Sequence, residues 1–446
     1  MSHEPNPNKS VNLTIDGILV TVPEGTTILE AAKKARVNIP TLCHHPDLCK
    51  RAVCRICVVE CDGRGKLAAA CAQDAWEGLS VVTKSVRVIN IRKTIIELLL
   101  ANHPQGCLTC VRNTRCELQS LAEVYGVRSL SFTNDVEEKP VVIESETLVR
   151  DMGKCIKCGR CVEACQEVQT VRAINSSRRG WQYEICAPYK EALSEGPCAF
   201  CCQCAAVCPV GAIYEHDQSS EVMDILINKK REAVAQVSPS LAEPLNDELG
   251  LPKGTITTGK IISALKLLGF EKVYNAAAFE KLSLSERQAE LEQRIKSGGL
   301  LPMITGNSAG LANFVNYFYP DLSGNLSRAK NARQVFAAFV KAEHSQETAS
   351  VSFFPGLAQK YNVPKRVPDK EDFALSVREL SRLIKMADID IVNFQETPFD
   401  TANANAPEPD GAVKIKIVYD YAEARKVLDS ARKGECDAQW IEIGLA

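Results

Sequence analysis

The chain contains 20 cysteines, and all except Cys436 lie between Cys43 and Cys208. Disulfides would require an oxidising compartment, and the N-terminal residues show no positive segment followed by an apolar core of the kind that directs secretion. Many of these cysteines follow a CxxC spacing, which in a cytoplasmic protein is typical of metal or redox sites. The sequence therefore predicts a cytoplasmic protein that holds metal centres in its N-terminal half.

Two cysteine runs share the spacing CxxCxxCxxxC, and Pro209 follows the second. Such a pair is typical of a ferredoxin with two [4Fe–4S] clusters, in which three cysteines of each run bind one cluster and the fourth binds the other. On this rule one cluster is bound by Cys155, Cys158, Cys161 and Cys208, and the other by Cys198, Cys201, Cys204 and Cys165. Structural zinc is the alternative, but zinc ribbons do not usually space four cysteines in this way.

A third motif, His103-x3-Cys107-x2-Cys110-x5-Cys116, follows a helix predicted over 85–102. It offers three thiolates and one imidazole, which predicts a His/Cys₃ [4Fe–4S] site, with a zinc site as the alternative. A neutral imidazole in place of a thiolate makes the cluster less negative and should raise its reduction potential. We also expect a hydrogen-bond acceptor for the second ring nitrogen of His103.

The spacing of Cys43, Cys54, Cys57 and Cys71 fits a [2Fe–2S] site. Cys49-x4-Cys54-x2-Cys57 also satisfies the plant-type ferredoxin spacing, so the residue pattern leaves Cys43 and Cys49 both open. The cysteines without a ligand role are predicted to be small buried apolar residues: Cys49, Cys61, Cys186, Cys202 and Cys436. Cys202 lies inside the second ferredoxin run and could perturb that cluster.

The pattern along the chain predicts five parts. They are a flexible tail (1–9), a [2Fe–2S] domain that opens with a hairpin and a helix (10–84), a small His/Cys₃ domain (85–140), a two-cluster ferredoxin domain (141–220) and a cysteine-poor α/β domain (221–446) with a loop or linker over 395–412. In the last part we predict strands at 233–237, 301–304, 350–354 and 415–418, and helices at 260–268, 285–296, 309–319, 377–385 and 422–432.

Several function classes are disfavoured. The formal net charge of −2 argues against a broad nucleic-acid surface, and the longest apolar runs are far too short to cross a bilayer. No GxGxxG follows a strand and no GxxxxGK[ST] is present. Gly306-x3-Gly310 lies between a strand and a helix, but it lacks a third glycine and an acidic ribose partner. Four iron–sulfur sites in series, without nucleotide motifs, predict a protein that conducts electrons.

The whole chain resembles the catalytic subunit of multi-cluster [FeFe] hydrogenases, and its N-terminal third also resembles the cluster-bearing large subunit of NADH:quinone oxidoreductase. The resemblance is carried by the segment 39–72, the His103–Cys116 site, the paired ferredoxin runs, and the stretches 233–239, 249–270 and 301–341. It favours Cys43 over Cys49 as a ligand. It implies a multidomain α+β protein with a β-grasp [2Fe–2S] domain, a small helical domain, a ferredoxin domain and a truncated α/β hydrogenase-like domain.

The sequence departs from this family where the hydrogenase active site, the H-cluster, is anchored. The family motif TSCCPGW reads TGNSAGL at 305–311, and MPCTAKK reads FPGLAQK at 354–360. The sequence ends about where a last family motif, CxxxC, would begin. Because the H-cluster needs these cysteines, we predict that the chain has no catalytic residues and no hydrogenase activity of its own.

The remaining resemblance is to the hydrogenase-like subunit of electron-bifurcating NAD(P) transhydrogenase complexes. It implies one [2Fe–2S] and three [4Fe–4S] clusters here, with FMN or FAD and NAD(P) on partner subunits. The implied partners are an FMN/NADH-binding flavoprotein, a small thioredoxin-like [2Fe–2S] subunit, an NADPH-binding flavoprotein subunit or domain, and soluble ferredoxin. The alternatives are a subunit of an NAD-dependent formate dehydrogenase or hydrogenase whose catalytic centre is on another chain, or a redox sensor.

Overall fold

The computed structural model describes residues 9–62, 66–132, 139–306, 308, 310–360, 371–402 and 414–444. The predicted tail, apart from residue 9, and most of the predicted loop 395–412 lie outside the described residues. Residues 395–402, which are described, form no helix and no strand longer than a single bridge.

The N-terminal module is a five-stranded sheet in the order β2-β1-β5-β3-β4, with one helix against it. Val11, Leu13 and Ile15 alternate with exposed residues and are buried, as a half-buried strand requires. Asp16 and Gly17 both have positive φ, as a tight hairpin turn needs. The predicted hairpin and helix are confirmed. The elements are β1 Ser10–Ile15, β2 Ile18–Pro23, α1 Ile28–Lys34, β3 Val58–Cys61, β4 Lys66–Ala69 and β5 Leu79–Val82.

Two helices follow, α2 Val86–Ala101 and α3 Glu117–Val124. The Ser85 hydroxyl accepts a hydrogen bond from the Val88 amide at 3.1 Å and so begins α2 at the predicted place. The helix ends before Pro104, and the helix predicted over 85–102 is confirmed. The segment between the helices, 102–116, carries the third motif.

The ferredoxin-type module contains a three-stranded sheet in the order β10-β7-β6 and a separate hairpin, β8-β9. Each cysteine run leads into a short helix. The two runs repeat the same backbone: Lys157 and Gly159 in the first, and Phe200 and Cys202 in the second, all have positive φ. The elements are β6 Val141–Ile143, β7 Leu148–Asp151, α4 Arg160–Glu163, β8 Asn175–Ser177, β9 Glu184–Cys186, α5 Gln203–Ala206 and β10 Ile213–Glu215.

The C-terminal part contains two parallel sheets, in the orders β12-β11-β14-β15 and β13-β17-β16, surrounded by helices. The predicted α/β arrangement is confirmed, and the strands of both sheets pair in parallel. The strands are β11 Ala233–Val237, β12 Lys272–Asn275, β13 Met303–Gly306, β14 Ala349–Phe354, β15 Phe373–Ser376, β16 Ile415–Val418 and β17 Trp440–Ile443. The helices are α6 Ser219–Asn228, α7 Ala242–Leu249, α8 Thr258–Leu268, α9 Ala276–Ser297, α10 Gly310–Phe318, α11 Ala332–Glu343, α12 Leu357–Lys360, α13 Val377–Met386 and α14 Tyr421–Arg432.

The largest difference from the predicted elements concerns α9, which begins at Ala276 and not near residue 285. Asn275 ends β12 and accepts a hydrogen bond from the Ala277 amide, so the helix starts directly at the end of the strand. The strands β12, β15 and β17 were not predicted. Within the described ranges, no helix combines the length and the apolarity needed to cross a bilayer.

Candidate metal centres

Four cysteines of the N-terminal module form two thiol pairs. The Sγ atoms of Cys57 and Cys71 lie 3.3 Å apart, and the hydrogen bond between them lowers the pKa of Cys57 to about 7 and raises that of Cys71. A hydrogen bond between Cys43 and Cys54 likewise lowers the pKa of Cys43 to about 6 and raises that of Cys54. The charges of Cys43 and Cys54 also raise the pKa of Cys71, so the pairs are neighbours. Two pairs of thiols suit a site with two irons.

Cys49 lies apart from these pairs. It is exposed, and a hydrogen bond to Glu163 raises the pKa of its thiol. The expectation that Cys49 is a small buried residue is therefore wrong, because its loop lies on the surface and faces the ferredoxin-type module. Cys61 and Cys202 are buried as predicted, whereas Cys186 and Cys436 are only partly buried.

The four residues of the third motif, His103, Cys107, Cys110 and Cys116, line one cavity. His103 is buried, and desolvation lowers its pKa, so that the imidazole is neutral, as a metal ligand requires. Its Nδ1 atom has no hydrogen-bond partner among the described residues, so the expected acceptor is not found at that atom. A Cβ at Gly211 would lie 2.9 Å from the Cys110 Sγ, so only glycine lets the ferredoxin-type module approach this site so closely.

In the ferredoxin-type module, the fourth cysteine of each run lies beside the other run. The charge of Cys208 raises the pKa of Cys155, Cys158 and Cys161. The charge of Cys165 raises the pKa of Cys198, Cys201 and Cys204. The fourth cysteine of each run is thus a neighbour of the other run, while the two ligand sets stay a prediction.

These thiols have the surroundings that iron–sulfur ligands need. Burial raises the pKa of Cys155 to about 11 and that of Cys158 to about 12, so an unliganded thiol would stay protonated and iron binding would release protons. Backbone amides also donate to the sulfurs. The N–H groups of Lys157, Ala173 and Phe200 reach the Sγ atoms of Cys155, Cys165 and Cys198 at 3.4, 3.2 and 3.4 Å. Soft thiolates with such donors fit a cluster.

The spacing of the side chains bears on the zinc alternative. In the part of the chain that the structure describes, no three histidine, cysteine or carboxylate side chains converge closely enough to hold a single metal ion. A zinc site needs four ligands within about 2.0–2.3 Å of one ion, whereas a cluster spreads its thiolates over several irons.

Arg160 connects three of the sites. Its guanidinium donates to both carboxylate oxygens of Glu117 at 2.6 and 2.8 Å and to the backbone carbonyl of His44 at 2.8 Å. Its charge adds to the lowering of the pKa of Cys43 by the hydrogen bond to Cys54, and it opposes the rise that burial causes in the pKa of Cys158. The side chain is only 5% exposed. No local sequence pattern indicates this role, because both partners are distant along the chain.

The site around Cys155 shares contacts with each of the other three sites. One apolar core, which includes Leu42, Ile96 and Val210, packs against Cys116, Cys155 and Cys208 and so joins this site to the His103 site. Arg160 joins it to the Cys43 site, and the crossing cysteines join it to the Cys198 site. The Cys155 site is thus linked to each of the other three sites through shared residues.

In the C-terminal domain, Ser308 and Gly356 occupy the positions at which the hydrogenase motifs place H-cluster cysteines. The Ser308 hydroxyl donates to the Ala358 carbonyl at 3.3 Å, so the two motif segments contact each other directly. A thiolate ligand is absent at both positions.

The sequence matches four protein families in succession. They are a 2Fe-2S iron-sulfur cluster binding domain (8–86), an NADH-ubiquinone oxidoreductase-G iron-sulfur binding region (92–130), the ferredoxin-like domain of NADH-quinone oxidoreductase subunit 3 (145–214), and the C-terminal domain of the iron only hydrogenase large subunit (231–408). Iron–sulfur domains thus precede a hydrogenase-like domain, as predicted.

Three relatives show how far the similarity extends. The NADP-reducing hydrogenase subunit HndD of Solidesulfovibrio fructosivorans is 35% identical over 414 residues, which cover 87% of this chain and 71% of the relative. Iron hydrogenase 1 of Clostridium pasteurianum is 29% identical over 405 residues, 87% of this chain and 70% of the relative. The NADPH-Fe(3+) oxidoreductase subunit alpha of Geobacter sulfurreducens is 34% identical over 203 residues, 46% of this chain and 24% of the relative.

The match to the Solidesulfovibrio subunit spans most of both chains and includes the cluster modules as well as the C-terminal domain. The predicted resemblance is confirmed. The chain is an oxidoreductase subunit, and it belongs to the family of iron-only hydrogenase large subunits.

Proposed function

We propose that this chain is the iron–sulfur electron-transfer subunit of a flavin-based, electron-bifurcating NAD(P)H/ferredoxin oxidoreductase, that is, a transhydrogenase complex. It carries single electrons between a flavin subunit and ferredoxin. The observation that supports this most is the combination of buried, neighbouring thiol sites with Ser308 and Gly356 at the H-cluster positions. Such a chain retains the means to conduct electrons without the anchors for hydrogen activation.

The proposal includes four clusters. A [2Fe–2S] cluster is held by Cys43, Cys54, Cys57 and Cys71, and a [4Fe–4S] cluster by His103, Cys107, Cys110 and Cys116. Two further [4Fe–4S] clusters are held by the crossed ferredoxin runs. The chain then binds about 14 iron atoms.

The proposed partners follow from the relatives. The Solidesulfovibrio and Geobacter relatives are named as subunits of an NADP-reducing hydrogenase and of an NADPH-Fe(3+) oxidoreductase. These names support a complex in which other chains bind the flavin and the nicotinamide nucleotides: an FMN/NADH-binding flavoprotein, a thioredoxin-like [2Fe–2S] subunit and an NADPH-binding flavoprotein.

Anaerobic purification of the chain with its native partners tests the proposal. We expect about 14 irons on this chain, flavin-binding chains at fixed stoichiometry, and ferredoxin reduction that requires both nucleotides. Hydrogen evolution should stay at the level of a blank even after coexpression with H-cluster maturation proteins. A co-purifying molybdopterin subunit would indicate a formate dehydrogenase instead, the absence of flavin partners would favour a sensor, and hydrogen evolution would contradict the loss of the H-cluster.

Changing His103 to cysteine should lower the reduction potential of one [4Fe–4S] cluster, because a thiolate adds negative charge where the imidazole adds none. An EPR-monitored redox titration measures the shift, and the other three clusters serve as internal controls. Changing His103 to alanine should remove about four irons per chain. If His103→Ala kept its full iron content, the assignment of His103 as a ligand would be wrong.

A further inference from the structure

The C-terminal domain packs directly on the loop that carries the Cys198 site. A Cβ at Gly310 would lie 1.8 Å from the Ala199 carbonyl oxygen, so α10 begins in contact with the backbone of this loop. The Asn313 amide donates to the Cys198 carbonyl at 3.4 Å. Ala199, Cys198 and Phe314 belong to one continuous apolar core. The domain therefore shields this site from solvent.

Tyr421 belongs to this shared core, and its hydroxyl group lacks a hydrogen-bond partner within the described part of the chain. It is the first residue of α14, its side chain is 0% exposed, and its ring packs against Phe314 with 4.5 Å between the ring centroids. Its hydroxyl has no hydrogen-bond partner among the residues that the structure describes. A buried polar group without a partner is unfavourable.

The surroundings of this hydroxyl indicate what its partner is. Burial raises the pKa of Tyr421 far above its usual value, and the nearby thiols of Cys201 and Cys198 raise it further. The hydroxyl of a tyrosine can donate a hydrogen bond. Tyr421 and Cys198 belong to the same buried core, and Cys201 and Cys204 pack against that core.

We propose that the Tyr421 hydroxyl donates a hydrogen bond to a sulfur atom of the cluster that the Cys198 site would hold, and that the C-terminal domain thereby sets the reduction potential of that cluster. This inference rests on the proposed function, since it requires a cluster bound by Cys165, Cys198, Cys201 and Cys204. Hydrogen bonds to cluster sulfurs stabilise the more negative, reduced state and raise the potential. A domain without H-cluster cysteines would thus retain a role in electron transfer.

Tyr319 supplies a matched control. It is also a buried tyrosine beside Phe314, at 6.1 Å between ring centroids. Its hydroxyl, however, already donates within the protein, to Asp429 at 2.9 Å or the Arg425 carbonyl at 3.2 Å. Removing the Tyr319 hydroxyl therefore perturbs the same core without removing a donor to sulfur.

The test compares Tyr421→Phe and Tyr319→Phe in the full chain with its partners. Iron content is measured first, and cluster potentials are then followed by EPR during redox titration. We expect full iron content in both variants and a lower potential for one ferredoxin-type [4Fe–4S] cluster in Tyr421→Phe alone. Pulsed EPR after exchange into D₂O should also show one exchangeable proton coupling that Tyr421→Phe lacks.

Three outcomes would overturn the inference: unchanged potentials in Tyr421→Phe, an equal shift in Tyr319→Phe, or loss of about four irons from Tyr421→Phe, which would make the residue structural. A failure of the proposed function is distinguishable, because it would appear in the unmodified protein as iron well below about 14 atoms per chain.

Discussion

Changing Cys43 to alanine should abolish the [2Fe–2S] EPR signal and remove about two irons per chain, whereas changing Cys49 to alanine should leave both unaltered. Cys43 is buried and hydrogen-bonded to Cys54, next to the Cys57–Cys71 pair. Cys49 is exposed and hydrogen-bonded to Glu163. The Cys43→Ala variant would leave the cluster with three protein ligands, and we expect such a cluster to lose its iron.

The two variants control for each other, since each removes one thiol from the same segment of chain. The measurements are iron analysis and the EPR spectrum of the dithionite-reduced protein. Loss of the signal in Cys49→Ala, with retention in Cys43→Ala, would reverse the assignment and restore the plant-type spacing. The [4Fe–4S] signals should persist in both variants, which shows that the protein remains folded.

Changing Arg160 to methionine should lower the stability of the cluster-bearing half by about 2 kcal/mol, because the Glu117 carboxylate would lose its bidentate donor and the His44 carbonyl would lose a donor as well. Glu117 is 44% exposed and can be rehydrated, so we expect less than the about 3–5 kcal/mol for breaking a fully buried pair. We also expect electrons to equilibrate more slowly between the [2Fe–2S] cluster and the other clusters, since Arg160 joins the modules that hold the Cys43, His103 and Cys158 sites.

Arg115→Met is the matched control for Arg160→Met. Arg115 also pairs with a glutamate of another module, Glu248, at 2.8 Å, but its side chain is 53% exposed. Such a pair contributes about 0–1 kcal/mol. Thermal unfolding followed by cluster absorbance measures stability, and rapid-mixing kinetics measures the rate at which the [2Fe–2S] cluster equilibrates with the others. Equal, small effects of both variants would show that Arg160 does not hold the modules together.

Local patterns were predictable where a few neighbouring residues decide the conformation. Ser85 and Pro104 delimit α2, and Asp16-Gly17 sets the first hairpin. The start of α9 was not predictable in this way. The residues 276–284 form a helix because Asn275 ends a buried strand beside them, and that strand exists only through its pairing with β11.

The sequence by itself determined the ligand types, their spacing and the missing cysteines at positions 308 and 356. Thiolates that share a cluster lie mostly within one short turn, so their spacing along the chain is enough to recognise them. The tertiary structure alone decided that Cys49 faces Glu163, that Arg160 meets Glu117 and His44, and that Tyr421 lies beside Cys201. Those contacts join residues far apart in the chain, and they depend on how whole modules pack, which no local pattern encodes.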